Sequence, residues 1–386
     1  MEPYLDRRQL KLHPLSEREN RVRIREAAIF PGDSPSSDDP ELDRTVSELA
    51  RDIEQAREAD APVVLAFGAH TIKNGMGPLL SGLARGGWVT HLATNGAGII
   101  HDWEFAYAGE SSEHVEENVQ SGRFGLWEET GFYINLAIVV GAFRGRGYGE
   151  SVGAFVEEGG LDVPTEQDLE AAARLSGPAG GYPAGRSAAE AESAAAAADL
   201  LALTRRIELE PGRYEVSHPY RRFGLQAAAY RLGVPFTSHP MFGHDIIYCH
   251  PANYGAAIGR AAERDFLSFA ETIRRIDGGV YLSVGSAVMS PMIFEKSFAM
   301  AQNLALQESN RIENHRIYVV DLTRSSWDWK RQGEPPESDP AYYLRFLKTF
   351  SRMGGEMRYV AADNRELLLR LARELGVSEP KREEGA

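Results

Sequence analysis

The residues that invite chemistry in this chain are glycines, histidines and carboxylates gathered in a few short stretches. Four of these read as turns after apolar runs: residues 68–75 (GAHTIKNG), 94–98 (TNGAG), 284–287 (VGSA) and 321–326 (DLTRSS). Glycine lets a backbone approach a ligand closely, and amides opening a helix can cradle a pyrophosphate. Tight turns that bind nothing have the same composition, but four of them at expected strand ends point to a dinucleotide site. The contacts expected for NAD are Thr71, Thr94, Asn95, Gly96, Ala97, Gly98, Gly285 and Ser286. The pattern is not the usual fingerprint. No G-x-G-x-x-G follows the first strand with an acid about 20 residues on, and there is no Walker A sequence.

Titratable groups cluster beside these turns. His101, Asp102 and Glu104 follow the 94–98 turn, and Glu104 and His101 are candidates for a ribose or a polar substrate. The alternative is that such acids complement the dipole at a helix start. His239, His244, Asp245 and His250 are ligand types that zinc or iron uses. Their spacing matches no metal motif, so a polar pocket wall is expected and no metal. Lysines stand at positions 11, 73, 296, 330, 348 and 381. A lysine nucleophile must be deprotonated by burial or a cationic neighbour. Lys348 is the candidate, with a solvated helix lysine as the alternative, and Lys73 is placed to meet a phosphate. Trp327 and Trp329 suit stacking on a ring or a cation, or anchoring a core. The lone Cys249 sits in an apolar run and reads as a core thiol.

These residues need a scaffold, and the apolar pattern supplies one. Residues 1–40 read as an irregular arm ending in a linker, 31–40, rich in Pro, Ser and Asp. A helix is expected over 41–59, where Leu42, Val46, Leu49 and Ile53 recur at three- and four-residue steps. Strands are expected over 62–68, 88–95, 234–238, 279–285, 316–322 and 357–362, with a strand-like run at 245–250. Helices are expected over 76–85, 188–206, 219–232, 256–276, 291–309, 339–353 and 364–375, and 132–143 fits either state. Apolar strands alternating with helices imply an α/β fold: a Rossmann-like, mostly parallel sheet covered by helices on both faces. One domain is expected over 41–376, with a flexible tail at 377–386.

Composition narrows the class further. The chain has 386 residues and a formal net charge of −14, which disfavours nucleic acid as a partner. A single cysteine excludes an internal disulfide framework and a cysteine-rich zinc site, and it suits a reducing compartment. The charged start has no apolar signal core, and no stretch approaches the roughly 20 apolar residues that span a bilayer. A cytoplasmic protein without membrane partners is expected.

The order of these motifs resembles the deoxyhypusine synthases over most of the chain from about residue 62 to 375. AFGAHTIKNGMGPLLSGLARGG (66–87) is similar to the family's first strand, polar loop and helix. WVTHLATNGAGIIHDWE (88–104) is similar to its strand ending in Thr-Thr-Ala-Gly-Gly. GHDIIYCH (243–250), YLSVGSAV (281–288) and IYVVDLT (317–323) follow in the family's order. The resemblance implies an NAD-binding fold, a homo-oligomer (dimer or tetramer), and a small-molecule amine as substrate. It puts Lys348 at the family's catalytic lysine, with His250 and Glu104 as further catalytic candidates. It makes His101, His244, Asp245 and Trp327 substrate contacts. Departures fall at the polyamine pocket, where Ser290 and Pro291 replace paired histidines and Glu295 replaces an asparagine. The expected activity is hydride transfer from an amine or amino-acid-like substrate to NAD, with imine capture or alkyl transfer. The alternatives are a deoxyhypusine or homospermidine synthase-type aminobutyl transferase and a non-catalytic dinucleotide-binding or assembly protein. A sirtuin-like deacylase is suggested by residues 96–99, but the zinc cysteines are missing.

Overall fold

The computed structural model describes residues 4–174 and 187–378. Residues 1–3, 175–186 and 379–386, and with the last most of the expected tail, lie outside the described residues. Among the described residues ten strands occur in chain order: β1 (Asn20–Arg23), β2 (Val63–Phe67), β3 (His91–Thr94), β4 (Glu110–Glu113), β5 (Gly160–Val163), β6 (Gly212–Glu215), β7 (Phe236–Ser238), β8 (Val280–Val284), β9 (Arg316–Asp321) and β10 (Glu356–Ala361). Six of them form the central sheet, in the order β10-β9-β8-β2-β3-β7. Every pairing in it is parallel. Two antiparallel pairs, β1 with β4 and β5 with β6, lie outside it.

Counted in their own order along the chain, the six central strands are arranged 3-2-1-4-5-6. This is the doubly wound arrangement, in which the chain starts at the middle and builds outward in both directions. The expected α/β sheet is therefore present. Its central strands are wholly buried, which is why they read as continuous apolar runs rather than alternating ones. Successive side chains still point to opposite faces. Val63, Leu65 and Phe67 enter one apolar core, and Val64 and Ala66 enter the other. The first core packs under helices Pro40–Glu58, Gly77–Arg85 and Asn364–Glu374, and the second under Gly255–Arg274 and Met289–Gln307.

Several expectations are corrected. The ambiguous run at 132–143 is a helix, Glu128–Phe143, with apolar residues all round because it is buried among neighbouring helices. The strand-like run at 245–250 is a 3-10 turn, Ile246–Cys249. It is too short and too closely tied to helix Glu128–Phe143 to join the sheet. The helix expected over 339–353 is split at Leu344 into a 3-10 turn, Pro340–Tyr343, and a helix, Arg345–Ser351. The N-terminal stretch is irregular yet packed. Leu15, Ile24 and Ile29 are buried in the first core, and β1 pairs with β4.

Among the described residues no helix is long and apolar enough to cross a membrane.

Candidate functional site

The strand order fixes where to look. Neighbouring strands β2 and β8 send the chain to opposite faces of the sheet, and in this strand order a ligand crevice is expected beyond their carboxyl ends. Gly68 follows β2 and Gly285 follows β8. The Gly68 amide donates to Val284 O at 3.1 Å and the Gly285 amide to Val320 O at 2.9 Å. A Cβ on Gly68 would lie 2.1 Å from the Gly285 carbonyl oxygen. Gly285 has φ +57°, and a Cβ there would meet the Asn364 side chain at 2.5 Å. Thr71 is buried beside them, and Asn364 Nδ2 reaches its Oγ1 at 3.4 Å. The floor of the crevice is therefore bare backbone, with Thr71 and Asn364 as its polar wall. Ser286 continues that wall, and its hydroxyl accepts from the Ser290 amide at 3.2 Å. Sequence reasoning missed Asn364. Its signal was its place just beyond the end of the last strand.

The second glycine turn lies one strand over, at the carboxyl end of β3. Thr94 is fully buried and its hydroxyl donates to Phe67 O at 3.0 Å. Asn95 caps helix Gly96–Ala108, its side chain accepting from the Gly98 amide at 3.0 Å. Gly98 must be glycine because a Cβ would sit 2.3 Å from Thr94 Oγ1. Thr94 and Asn95 are thus engaged in holding the turn, in which Gly96 is buried and Ala97 half-buried. The Asp245 carboxylate rests on Gly96, where a Cβ would lie 2.1 Å from its Oδ2. That oxygen is buried without a hydrogen-bond partner among the described residues. Burial pushes the Asp245 carboxyl up to about 7.

The remaining candidates have partners of their own. Glu104 is buried, with its oxygens bound by Arg18 Nη1 and Nη2, both at 2.7 Å, by Thr130 Oγ1 at 2.9 Å and by Ser111 Oγ. Burial raises the Glu104 carboxyl, but Arg18 outweighs it and holds the group below the usual glutamate range. His101 is half-buried, and its Nδ1 meets Ser111 Oγ at 2.8 Å, which engages that nitrogen in the same network. Burial, with Lys73, Arg18 and His70 adding to it against Glu104, lowers His101 to about 4.

His250 Nδ1 accepts from the Ala252 amide at 3.0 Å, and its Nε2 faces Glu128 at 3.5 Å. Burial, then Arg7, lowers it to about 4. His244 is exposed. His239 Nε2 meets Thr237 Oγ1 at 3.0 Å, and no group of three His, Cys, Asp or Glu suited to a metal occurs among the described residues. Lys348 is paired with Glu334 at 2.7 Å and lies 3.7 Å from the Tyr342 ring centroid. Glu334, then Tyr342, raises the Lys348 ammonium above its ordinary range. That is the reverse of what a nucleophilic amine requires. Trp327 Nε1 donates to Gly333 O at 2.9 Å and pins its own loop. Lys348, His250 and Glu104 have separate partners, and no contact of any one includes another.

A cavity of about 440 Å³ opens beside edge strand β7, lined in part by Gly147, Gly149, Tyr230, Phe236, Arg264 and Asp265. Asp265 is occupied there by the Gly149 and Ser238 amides, at 2.9 and 2.7 Å. That carboxylate ties a helix start to a strand end, and the candidate site is the β2–β8 strand ends instead.

No family model matches the chain, and no curated protein matches it. The resemblance to the deoxyhypusine synthases therefore rests on the motifs alone. Similar solved structures include ArgZ, an arginine dihydrolase from the ornithine-ammonia cycle in cyanobacteria, at 17% identity, over 86% of this chain and 32% of that one, TM-score 0.37. AgrE in a ternary complex with ornithine and NAD+ is similar at 14% identity, over 88% of this chain and 34% of that one, TM-score 0.40. An LOR/SDH protein from Methanococcus maripaludis S2 is similar at 12% identity, over 90% of this chain and 73% of that one, TM-score 0.42. The chain spans about a third of the length of ArgZ and AgrE.

Proposed function

We propose that this chain is an NAD-dependent enzyme acting on an amine or amino-acid-like substrate. The observation that carries the reading is the bare glycine cradle, Gly68 against Gly285, at the topological switch point of a 3-2-1-4-5-6 sheet. When bound, NAD supplies the hydride acceptor. Gly68, Thr71, Gly285, Ser286 and Asn364 would hold it at the crevice, with the 94–98 turn beside them. The substrate carbon that gives up hydride carries nitrogen: the ammonium first loses a proton to solvent, hydride loss then leaves an iminium, and water hydrolyses it to a carbonyl and ammonium. His101 is the proposed substrate-side contact. Its burial keeps the ring neutral, so it meets an ammonium as an acceptor.

An aminobutyl transferase of the deoxyhypusine synthase type needs a free lysine amine, and the Glu334–Lys348 pair disfavours it. Homo-oligomerisation remains part of the proposal, and a mass measurement in solution tests it. The experiment for the activity is incubation with NAD and a panel of amines and amino acids, following the absorbance of reduced nicotinamide. Reduction with at least one member is expected. Saturable NAD binding with no reduction by any member would favour a non-catalytic dinucleotide-binding protein. An aminobutyl adduct formed from spermidine and NAD would restore the transferase.

A further inference from the structure

The acid that the sequence lacks at the end of β3 is present in space. In this sheet order the carboxyl end of the second strand receives the adenosine ribose of a dinucleotide, and a carboxylate there bonds the ribose hydroxyls. The second strand here is β3, and its end carries Thr94 and Asn95, neither of them acidic. The turn after β7 delivers Asp245 to that place, against Gly96 at the start of helix Gly96–Ala108. Gly96 makes room for it, because any side chain would overlap the carboxylate.

The chemistry of the place is narrow. Asp245 Oδ2 is buried and unbonded among the described residues, and so are the hydroxyls of Tyr148, which is wholly buried, and Tyr248. Asp245 is the charge that acts most on both tyrosines. A buried carboxylate oxygen left without a donor is costly, and a ligand that completes this site would bring a hydroxyl or an ammonium. A phosphate is repelled, although the start of a helix of this length would otherwise attract one.

We propose that Asp245 is the acceptor for the ribose hydroxyls of the bound dinucleotide and that it selects NAD over NADP. This inference rests on the dinucleotide reading above. It moves Asp245 away from the substrate contact that the family resemblance implies. In NAD the 2′-hydroxyl donates to the carboxylate. In NADP a 2′-phosphate faces the same carboxylate with like charge and no proton to give.

The test is calorimetric titration of the full chain with NAD, NADP, ADP-ribose and 1,4-diaminobutane, for the wild type and Asp245→Asn. The wild type should bind NAD about 100-fold more tightly than NADP, the size of one lost charged hydrogen bond plus a like-charge penalty. Asp245→Asn should weaken NAD by about 10-fold or more and leave NADP unchanged or tighter. Equal affinity for NAD and NADP in the wild type, or an unchanged ratio in the variant, would overturn this inference while the dinucleotide reading stands. Diaminobutane binding that is lost in Asp245→Asn, with the NAD to NADP ratio unchanged, would make Asp245 an amine site and overturn it as well. Absence of binding by both NAD and ADP-ribose would overturn the two readings together.

Discussion

Glu104 was expected to do chemistry, and the structure assigns it a different kind of work that can be measured. Its carboxylate and the Arg18 guanidinium are each about 1% exposed in their side chains and share two 2.7 Å hydrogen bonds. Removing one partner of such a pair leaves an uncompensated buried charge and costs about 3–5 kcal/mol. Glu113 and Glu110 also act on Arg18, so Glu104→Gln should fall at the lower end, about 3 kcal/mol. Unfolding entropy of about 2.1 cal/mol/K per residue over 386 residues makes each kcal/mol worth about 1.2 °C, so the melting temperature should drop by about 4 °C. The paired variant Arg18→Met with Glu104→Leu should lose less than the sum of its single changes, because neither charge is then stranded. The folded Glu104 group ionises below its ordinary range. Its stabilisation is therefore present above the unfolded glutamate value, near 4.3, and is lost as the pH falls through the folded one. Urea unfolding and thermal melts of the wild type, Glu104→Gln, the two single changes and the paired variant measure this. A Glu104→Gln variant within about 1 kcal/mol of wild type that binds NAD but has lost turnover would refute the structural assignment.

Other consequences follow from the same contacts. Gly285→Ala forces a Cβ onto a left-handed backbone and into Asn364. It should cost about 2–3 kcal/mol and weaken NAD binding. Gly87→Ala, at φ +74° with nothing within 4 Å, should cost about 1–2 kcal/mol from the backbone alone and spare binding. Lys348→Ala should leave NAD binding and amine turnover unchanged, and a loss of turnover with intact NAD binding would return the lysine to the chemistry. Asp245 has a folded value raised to about 7 by burial. Its contribution to stability is present below the unfolded aspartate value and is lost as the pH rises through about 7. Asp245→Asn should accordingly melt higher than wild type at pH 8 and lose that pH slope. A variant melting lower than wild type at pH 8 would contradict this.

Much of the sheet was legible because its strands are buried on both faces and bounded by glycine. The runs at 62–68, 279–285 and 316–322 became β2, β8 and β9 almost to the residue. The 245–250 run misled because a short apolar stretch has no period of its own. Its residues are buried by helix Glu128–Phe143, not by neighbouring strands. The glycines that meet at the crevice, Gly68 and Gly285, were visible as turns. Their mutual contact depends on strand order, which no local pattern encodes. Asp245 stood out only as one member of a histidine-rich cluster. Its place at the end of β3 arises because the turn after β7 folds back over a neighbouring strand. The Arg18–Glu104 pair joins residues far apart in the chain and left no local trace, and Asn364 was marked only by its place just beyond the last strand.

The central claim is that the β2–β8 crevice binds a nicotinamide dinucleotide. The most direct test is calorimetric titration of NAD and ADP-ribose into the wild type and into Gly285→Val, with hydrogen exchange followed at residues 68–71, 94–98 and 285–286. Saturable binding of both ligands to the wild type, protection of those three segments, and loss of binding in Gly285→Val are the predicted result. No saturable binding of either ligand, or binding that leaves all three segments unprotected and survives Gly285→Val, would contradict the account.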